Sequence, residues 1–125
     1  MNAPFVRPQT VILLVEDEPL VRMLGIDVLE DAGFAVVEAM DAREALEQLE
    51  AHPEVRILFT DVQMPGELDG VALARIVHDL RPDVHLVIAS GRTRLLPEEI
   101  PDNSRFVPKP YRPDELVDVM RDVLS

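Results

Sequence analysis

The sequence has 125 residues, of which 12 are Lys or Arg, 24 are Asp or Glu and none is Cys, so its formal net charge is −12. A chain of this length forms one domain with a hydrophobic core, and the absence of Cys excludes disulfides and thiolate metal sites. The charge disfavours direct binding to nucleic acid or anionic lipid, and the apolar runs are far shorter than the roughly 20 residues that span a bilayer. We therefore expect a cytoplasmic protein whose partners are proteins or cations.

The first half of the chain alternates predicted strands and helices. Val11–Val15 is a continuous, β-branched apolar run typical of a strand buried on both faces, and Ala35–Ala39 is a second strand. The helix between them begins at Pro19, which suits a first helical position, and ends at Gly33. Its periodic apolar residues are Leu20, Leu24, Val28 and Ala32. A second helix has Asp41 as its N-cap and carries Ala42, Ala45, Leu46 and Leu49.

The second half contains three more predicted strands and two more helices. The strands run from Val55 to Thr60, from Val84 to Ala89 and from Arg105 to Val107. The helices follow the third and fifth strands, and their apolar stripes are Leu73, Ile76, Val77 and Leu80, then Leu116, Val119, Met120 and Val123. Pro113 opens the last helix. The proline-rich stretch from Gly91 to Ser104 predicts a loop with at most two helical turns around residues 95–100.

The order of these elements predicts the fold class. Strands that alternate with helices pair in parallel through right-handed crossovers. We therefore expect an α/β fold in which helices cover both faces of one doubly wound parallel sheet.

Polar residues follow four of the five predicted strands. Glu16 and Asp17 come directly after the first strand, Asp61 after the third and Ser90 after the fourth. Lys109 follows the fifth strand after one proline. In an open parallel sheet, ligands bind at the carboxyl ends of the strands, so we expect these side chains to share one edge.

This combination of residue types predicts metal-assisted phosphoryl chemistry. Crowded carboxylates repel one another unless a cation lies among them, and hard oxygen ligands suit Mg²⁺. A single Lys and a hydroxyl supply a positive charge and a hydrogen-bond donor for phosphoryl oxygens. One of the carboxylates could itself act as the nucleophile. Each of these residues taken alone has a simpler interpretation as a turn residue or a solvated charge. Phe106, within the predicted fifth strand, is by default a core aromatic.

Four segments of the sequence resemble the receiver domain of two-component response regulators. They are Leu13 to Pro19, Thr60 to Gly66 with Asp69-Gly70, Ala89 to Gly91, and Phe106 to Tyr111. The resemblance implies a flavodoxin-like (βα)5 fold with strand order 2-1-3-4-5 and, in this chain, a shortened fourth helix. It places the receiver domain at residues 10–125, after an N-terminal tail of residues 1–9.

The resemblance also implies a function and site roles. Asp61 would be the phosphoacceptor, taking its phosphoryl group from a sensor histidine kinase or a histidine phosphotransfer protein. Mg²⁺ would lie on Asp17, Asp61 and the main-chain carbonyl of Gln63, with Glu16 at the other acidic position. Lys109 would pair with the phosphoryl oxygens. Ser90 and Phe106 would form the switch, and Gln63 and Arg92 would occupy the positions that tune the phosphoryl lifetime.

Only 16 residues follow Lys109, enough for one helix, so we expect a single-domain regulator that signals by protein binding or phosphorelay.

Two alternative functions would need residues that this sequence lacks. A metal-dependent hydrolase would need a second acid at position 63, where this chain has Gln. A flavodoxin-like cofactor domain would need a phosphate-binding loop in place of Glu16-Asp17-Glu18. A receiver-like protein that signals without phosphate is excluded by no residue.

Overall fold

The computed structural model describes residues 9–63, 66, 68–91, 101 and 104–125. These residues contain five strands and four helices, which alternate except between the fourth and fifth strands. The strands are β1 (Val11–Val15), β2 (Ala35–Ala39), β3 (Val55–Asp61), β4 (His85–Ser90) and β5 (Arg105–Pro108). The helices are α1 (Pro19–Asp31), α2 (Ala42–Ala51), α3 (Gly70–Leu80) and α4 (Pro113–Val123).

The strands form one parallel sheet in the order β2-β1-β3-β4-β5, which confirms the predicted fold class and strand order. Four strand ends differ by one residue from the prediction: β3 ends at Asp61, β4 both begins and ends one residue later, at His85 and Ser90, and β5 ends at Pro108. The shortened helix expected around residues 95–100 lies outside the described residues.

The helix ends follow local signals in the sequence. Pro19 and Pro113 occupy the start of α1 and α4, where a missing N–H costs no helical hydrogen bond. Asp41 caps α2 by accepting a hydrogen bond from the Glu44 N–H at 2.8 Å. Gly33, just beyond α1, has φ +98°, a left-handed conformation that favours glycine.

Two hydrophobic layers cover the sheet, one on each face. Leu13, Val15 and Leu58 point to the face covered by α2 and α3, while Ile12 and Leu14 point to the face covered by α1 and α4. Alternate residues of one strand therefore serve opposite layers, which is why the central strands are continuously apolar. Among the described residues, no helix is both long enough and apolar enough to cross a membrane.

The first helix is present as predicted, but its periodic leucines do not mark its buried face. Leu20 and Leu24 are 75% and 65% exposed, whereas Gly25 and Leu29 are buried. The helix carries apolar side chains on two sides, and packing selects the side that contains Gly25. At this position α1 approaches the sheet so closely that an added Cβ would lie 2.8 Å from the side chain of Leu14.

Candidate functional site

Three carboxylates meet at the carboxyl edge of the sheet. Glu16 and Asp17 follow β1 directly, and Asp61 is the last residue of β3. Val15 and Thr60 are paired in the sheet, so the residues after them start from neighbouring positions. One oxygen atom from each of the three carboxylates lies within 4.8 Å of the other two. The structure thus brings together the three acids that the sequence placed at strand ends.

Lys109 bridges two of these carboxylates. Its ammonium donates to Asp61 Oδ2 at 3.0 Å and to Glu16 Oε1 at 3.1 Å. Its main-chain N–H donates to the carbonyl of Ser90 at 2.9 Å, which ties the residue to the end of β4. Burial disfavours the charged ammonium, but the hydrogen bonds from it to Asp61 and Glu16 outweigh this cost, so the pKa of Lys109 is raised. The ammonium is therefore charged at neutral pH.

Glu16 is a buried acid with several partners. Its Oε2 atom accepts a hydrogen bond from the Glu18 N–H at 3.2 Å, while Oε1 accepts from Lys109. Burial raises the pKa of the Glu16 carboxyl, and the hydrogen bonds from Glu18 and Lys109 oppose this without cancelling it. The fold by itself therefore favours the neutral form of Glu16 more than water does. A further cation beside the carboxyl group would favour the charged form.

The donor set suits a small divalent cation. Three carboxylates face one ammonium, so the site carries excess negative charge at its centre. Oxygen ligands are those that Mg²⁺ prefers, and it commonly takes one or two carboxylates together with water. Glu16, Asp17 and Asp61 therefore fit the metal that the sequence predicted.

Gln63 lies beside the acids, as expected from its position two residues beyond Asp61. Its N–H is 3.4 Å from Asp61 Oδ1, a weak hydrogen bond, and the residue lines the same cavity as the carboxylates. Its side chain is exposed. The use of its carbonyl as a metal ligand and of its side chain in tuning the phosphoryl lifetime stays a prediction.

Two of the remaining predicted residues, Ser90 and Phe106, lie on the neighbouring strands β4 and β5. Ser90 is buried as the last residue of β4 and pairs with Pro108, directly before Lys109. Phe106 is on β5 and is 40% exposed, so it is not the core aromatic of the simpler interpretation. The switch roles of Ser90 and Phe106 stay predictions. Arg92 lies outside the described residues.

A cavity of about 1000 Å³ opens above the acids. Glu16, Asp17, Asp61 and Lys109 line its charged part. Its other wall is largely apolar and includes Val21, Leu24, Val28, Pro110 and Tyr111. Tyr111 packs edge to face on Phe59, with ring centres 5.8 Å apart. The site therefore combines a charged floor with an apolar side wall provided mainly by α1.

The roles of two residues that support the site were not predicted from the sequence. Arg22 donates from Nη1 to the main-chain carbonyl of Glu16 at 2.8 Å, and Gly70 packs against the main chain of Asp61 and Val62. The available signals were a cation among the apolar residues of the first helix and a glycine directly after Asp69. Both signals are common in sequences without any such role, so neither could identify a partner.

Comparison with known proteins gives a consistent result. Residues 12–121 match the family described as the response regulator receiver domain. The chain is 37% identical to the sensor kinase CckA of Brucella abortus over 91% of its own length, but spans only 12% of that kinase. It is 32% identical to the response regulator receiver protein CpdR of the same organism, covering 90% of this chain and 95% of CpdR.

Solved structures support the same fold. A response regulator receiver protein from Sinorhizobium medicae superposes with a TM-score of 0.87 at 26% identity, covering 93% of this chain and 94% of the other. The five-stranded parallel sheet and its strand order are thus shared with a known receiver structure.

Proposed function

The chain belongs to the response regulator receiver family, and from that premise we propose that Asp61 accepts a phosphoryl group from a phosphohistidine. The donor would be a sensor histidine kinase or a histidine phosphotransfer protein. The observation that carries this proposal is the placement of Asp61 at the strand edge, beside two further acids and in hydrogen-bond contact with the Lys109 ammonium. CckA is itself a sensor kinase, and CpdR is a receiver protein, which supports a role in two-component signalling.

In the proposed reaction, the Asp61 carboxylate attacks the phosphorus of the phosphohistidine. A bond forms between an Asp61 oxygen and phosphorus, the bond from phosphorus to the imidazole nitrogen breaks, and that nitrogen leaves with its electron pair. Hydrolysis of the resulting acyl phosphate returns free Asp61 and inorganic phosphate. The domain would act as a phosphoacceptor in signalling, and the chemistry consists of its own phosphorylation and dephosphorylation.

Mg²⁺, when bound, supplies positive charge against the transferring phosphoryl oxygens. Glu16, Asp17 and Asp61 would hold it with their carboxylates and Gln63 with its main-chain carbonyl. Lys109 already contacts Asp61 and is held charged, so its ammonium can move from carboxylate oxygen to phosphoryl oxygen. These residues orient Asp61 and offset the added negative charge.

Phosphorylation of Asp61 would change the protein surface at β4 and β5. Modification adds nearly two negative charges to the site. The buried hydroxyl of Ser90, one residue from Gly91 on the cavity wall, would move toward the new oxygens. Phe106, now partly exposed on β5, would then change its side-chain position. Gln63 and Arg92 would set how long the phosphoryl group lasts.

The apolar wall of the cavity supports the proposal that the phosphoryl donor and the downstream partner are both proteins. Leu20, Met23 and Leu24 of α1 are exposed, and Leu24 also lines the cavity above Asp61. Exposed apolar side chains grouped beside a reactive site are typical of protein contact surfaces. The net charge of −12 disfavours nucleic acid as a direct partner of this chain.

The proposal is tested by phosphorylation with acetyl phosphate, read by intact mass. Wild type, Asp61→Asn and the control Asp27→Asn, at an exposed position on α1, are incubated with and without Mg²⁺. We expect a gain of one phosphoryl group, about 80 Da, on wild type and on Asp27→Asn in Mg²⁺ only. An equal adduct on Asp61→Asn, or none on wild type, would contradict the proposal.

A further inference from the structure

The side chain of Arg22 connects three elements beside the acidic site. From its position in the first turns of α1, its Nη1 donates to the main-chain carbonyl of Glu16 at 2.8 Å, and its Nε donates to Glu38 Oε1 at 3.0 Å. The side chain is only 16% exposed. Glu38 lies on β2 and pairs in the sheet with Leu14 of β1. One guanidinium therefore links the end of β1, the start of α1 and the neighbouring strand.

The carbonyl that Arg22 holds belongs to the peptide unit that joins Glu16 to Asp17. Because a peptide unit is planar, fixing its oxygen also fixes the direction of the Asp17 N–H and the position of the Asp17 Cα, from which the side chain extends. The other side of Glu16 is held as well, since the Glu16 N–H donates to the carbonyl of Ala39 at 3.0 Å. Arg22 completes the restraint on this turn.

We infer that Arg22 is a positioning residue that keeps Asp17 directed toward Asp61, so that the cation site is assembled before a cation arrives. This inference rests on the proposed function, because it assigns Arg22 a task in the same metal-dependent site. Three carboxylates with oxygen atoms within 4.8 Å of one another repel, and a rotation of the turn after β1 would relieve part of this repulsion. The hydrogen bond from Arg22 opposes that rotation.

Partners that orient metal ligands without touching the metal have measurable effects. Loss of such a partner commonly weakens metal binding by roughly 10- to 100-fold. Arg suits the task because its planar fork donates in two fixed directions, which an ammonium cannot do. Glu38 is 58% exposed, so its ion pair contributes little by itself, and its main effect is to hold the guanidinium in place.

The chain contains a matched control at the opposite end of the sheet. Arg81 donates from Nη2 to the main-chain carbonyls of Pro53 and Val55 at 3.0 and 3.2 Å, and from Nε to Asp83 at 3.2 Å. Its side chain is 24% exposed. Arg81 thus makes the same kinds of bonds as Arg22 at a similar burial, but at the start of β3 rather than after the end of β1. Removing it tests for a purely structural effect.

The test compares wild type, Arg22→Ala, Arg22→Lys and Arg81→Ala. Binding of Mn²⁺, which shares the oxygen-ligand preference of Mg²⁺, is measured from the free-ion electron paramagnetic resonance signal. The Mg²⁺ concentration that gives half the maximal rate of phosphorylation by acetyl phosphate is measured separately. Circular dichroism and urea unfolding report whether each variant is folded.

We expect Arg22→Ala to bind Mn²⁺ roughly tenfold more weakly or worse, with a similar rise in the Mg²⁺ half-saturation. The rate at saturating Mg²⁺ should stay close to wild type, because excess cation restores the ligand arrangement. Arg22→Lys should bind Mn²⁺ with an affinity between those of wild type and Arg22→Ala. It replaces the Ala variant if that variant does not fold. Arg81→Ala should lose stability without any change in Mn²⁺ binding.

These measurements distinguish a failure of the proposed function from a failure of the role inferred for Arg22. If wild type binds no Mn²⁺ and accepts no phosphoryl group, the proposed function fails. If wild type does both and the folded Arg22 variants keep the wild-type Mn²⁺ affinity, the role of Arg22 is overturned and the proposed function stands. Equal weakening in Arg22→Ala and Arg81→Ala would also overturn it, because the effect would then follow general stability.

Discussion

Gly70 begins α3 directly against the main chain of Asp61. An added Cβ at Gly70 would overlap the Asp61 carbonyl oxygen and would lie 2.9 Å from the Cα of Val62. The Gly70 N–H also donates to the Val62 carbonyl at 2.8 Å. The start of α3 and the proposed phosphoacceptor therefore share one tightly packed piece of backbone, and only a residue without a side chain fits there.

Gly70→Ala should therefore disturb Asp61 through its backbone. Because all the atoms that would collide belong to the main chain, none can move by a simple side-chain rotation. We expect the free energy of unfolding to fall by about 1–3 kcal/mol or more, as in overpacked cores, with slower phosphorylation by acetyl phosphate. Urea unfolding measures the first effect and intact mass the second.

Gly91→Ala is the control for this variant. A Cβ at Gly91 would lie 3.6 Å from the nearest atom, Lys109 Cβ, which is an ordinary contact. Its unfolding free energy should stay within about 0.5 kcal/mol of wild type. Similar losses in both glycine variants would argue against a special role for the Gly70 contact.

Lys109→Met should destabilise the metal-free protein. It leaves the carboxylates of Glu16 and Asp61 facing each other without the ammonium that bridges them. We expect a loss of about 1–2 kcal/mol in EDTA, since an unpaired, partly buried charge is costly, and a smaller loss in Mg²⁺ because a dication replaces the missing charge. Urea unfolding in both buffers measures the difference.

Arg43→Ala is the matched control for the loss of a cation. Its ion pair with Glu47 is long, at 3.6 Å, and lies on the exposed surface of α2. Its removal should change stability by no more than about 0.5 kcal/mol in either buffer. A Lys109 variant that is equally stable with and without Mg²⁺ would contradict the proposed cation site.

Leu24→Asp should impair transfer from a protein donor while sparing transfer from a small one. Leu24 is exposed at the edge of the cavity, so the substitution places a charge where a donor protein would pack. With a purified histidine kinase that phosphorylates wild type, we expect transfer to slow about tenfold or more. The rate with acetyl phosphate should be unchanged.

Leu80→Asp provides the comparison, because Leu80 is also 65% exposed but lies at the end of α3. It should be phosphorylated by the kinase at the wild-type rate. If both leucine variants, or neither, lose kinase-dependent transfer, the α1 surface is not the donor contact.

Tyr111 should titrate above its ordinary range in the folded protein. Burial raises the pKa of its phenol, with a smaller opposing effect from Lys109. A raised pKa means that the neutral phenol is favoured by the fold, so this stabilisation is complete below pH 10 and is lost as the pH rises through the folded-state pKa. Unfolding should return the midpoint to about 10.

The sequence makes this measurement specific, because Tyr111 is the single Tyr and there is no Trp. The ultraviolet absorbance change on phenol ionisation therefore reports one residue. Tyr111→Phe should remove the signal entirely. A folded-state midpoint at or below that in concentrated urea would show that the ring is not buried in solution.

The sequence alone determined the sheet and the main members of the site. Continuous apolar runs separated by amphipathic helices permit few arrangements other than a parallel sheet, and parallel strands direct their carboxyl ends to one edge. That is why Glu16, Asp17, Asp61 and Lys109, each placed just beyond or at the end of a strand, could be grouped before any distance was known. Cap signals such as Asp41 were equally local and equally readable.

Only the tertiary structure decided which groups support the site. Helical periodicity identified α1 but not its buried side, because apolar residues occur on two sides and packing against the sheet selects one of them. Arg22 meets Glu38, 16 positions away in the sequence, through the pairing of β1 with β2. The contact between Gly70 and Asp61 likewise depends on the path of the chain between them. Such contacts depend on how closely separate elements pack against one another, which residue types and spacing do not encode.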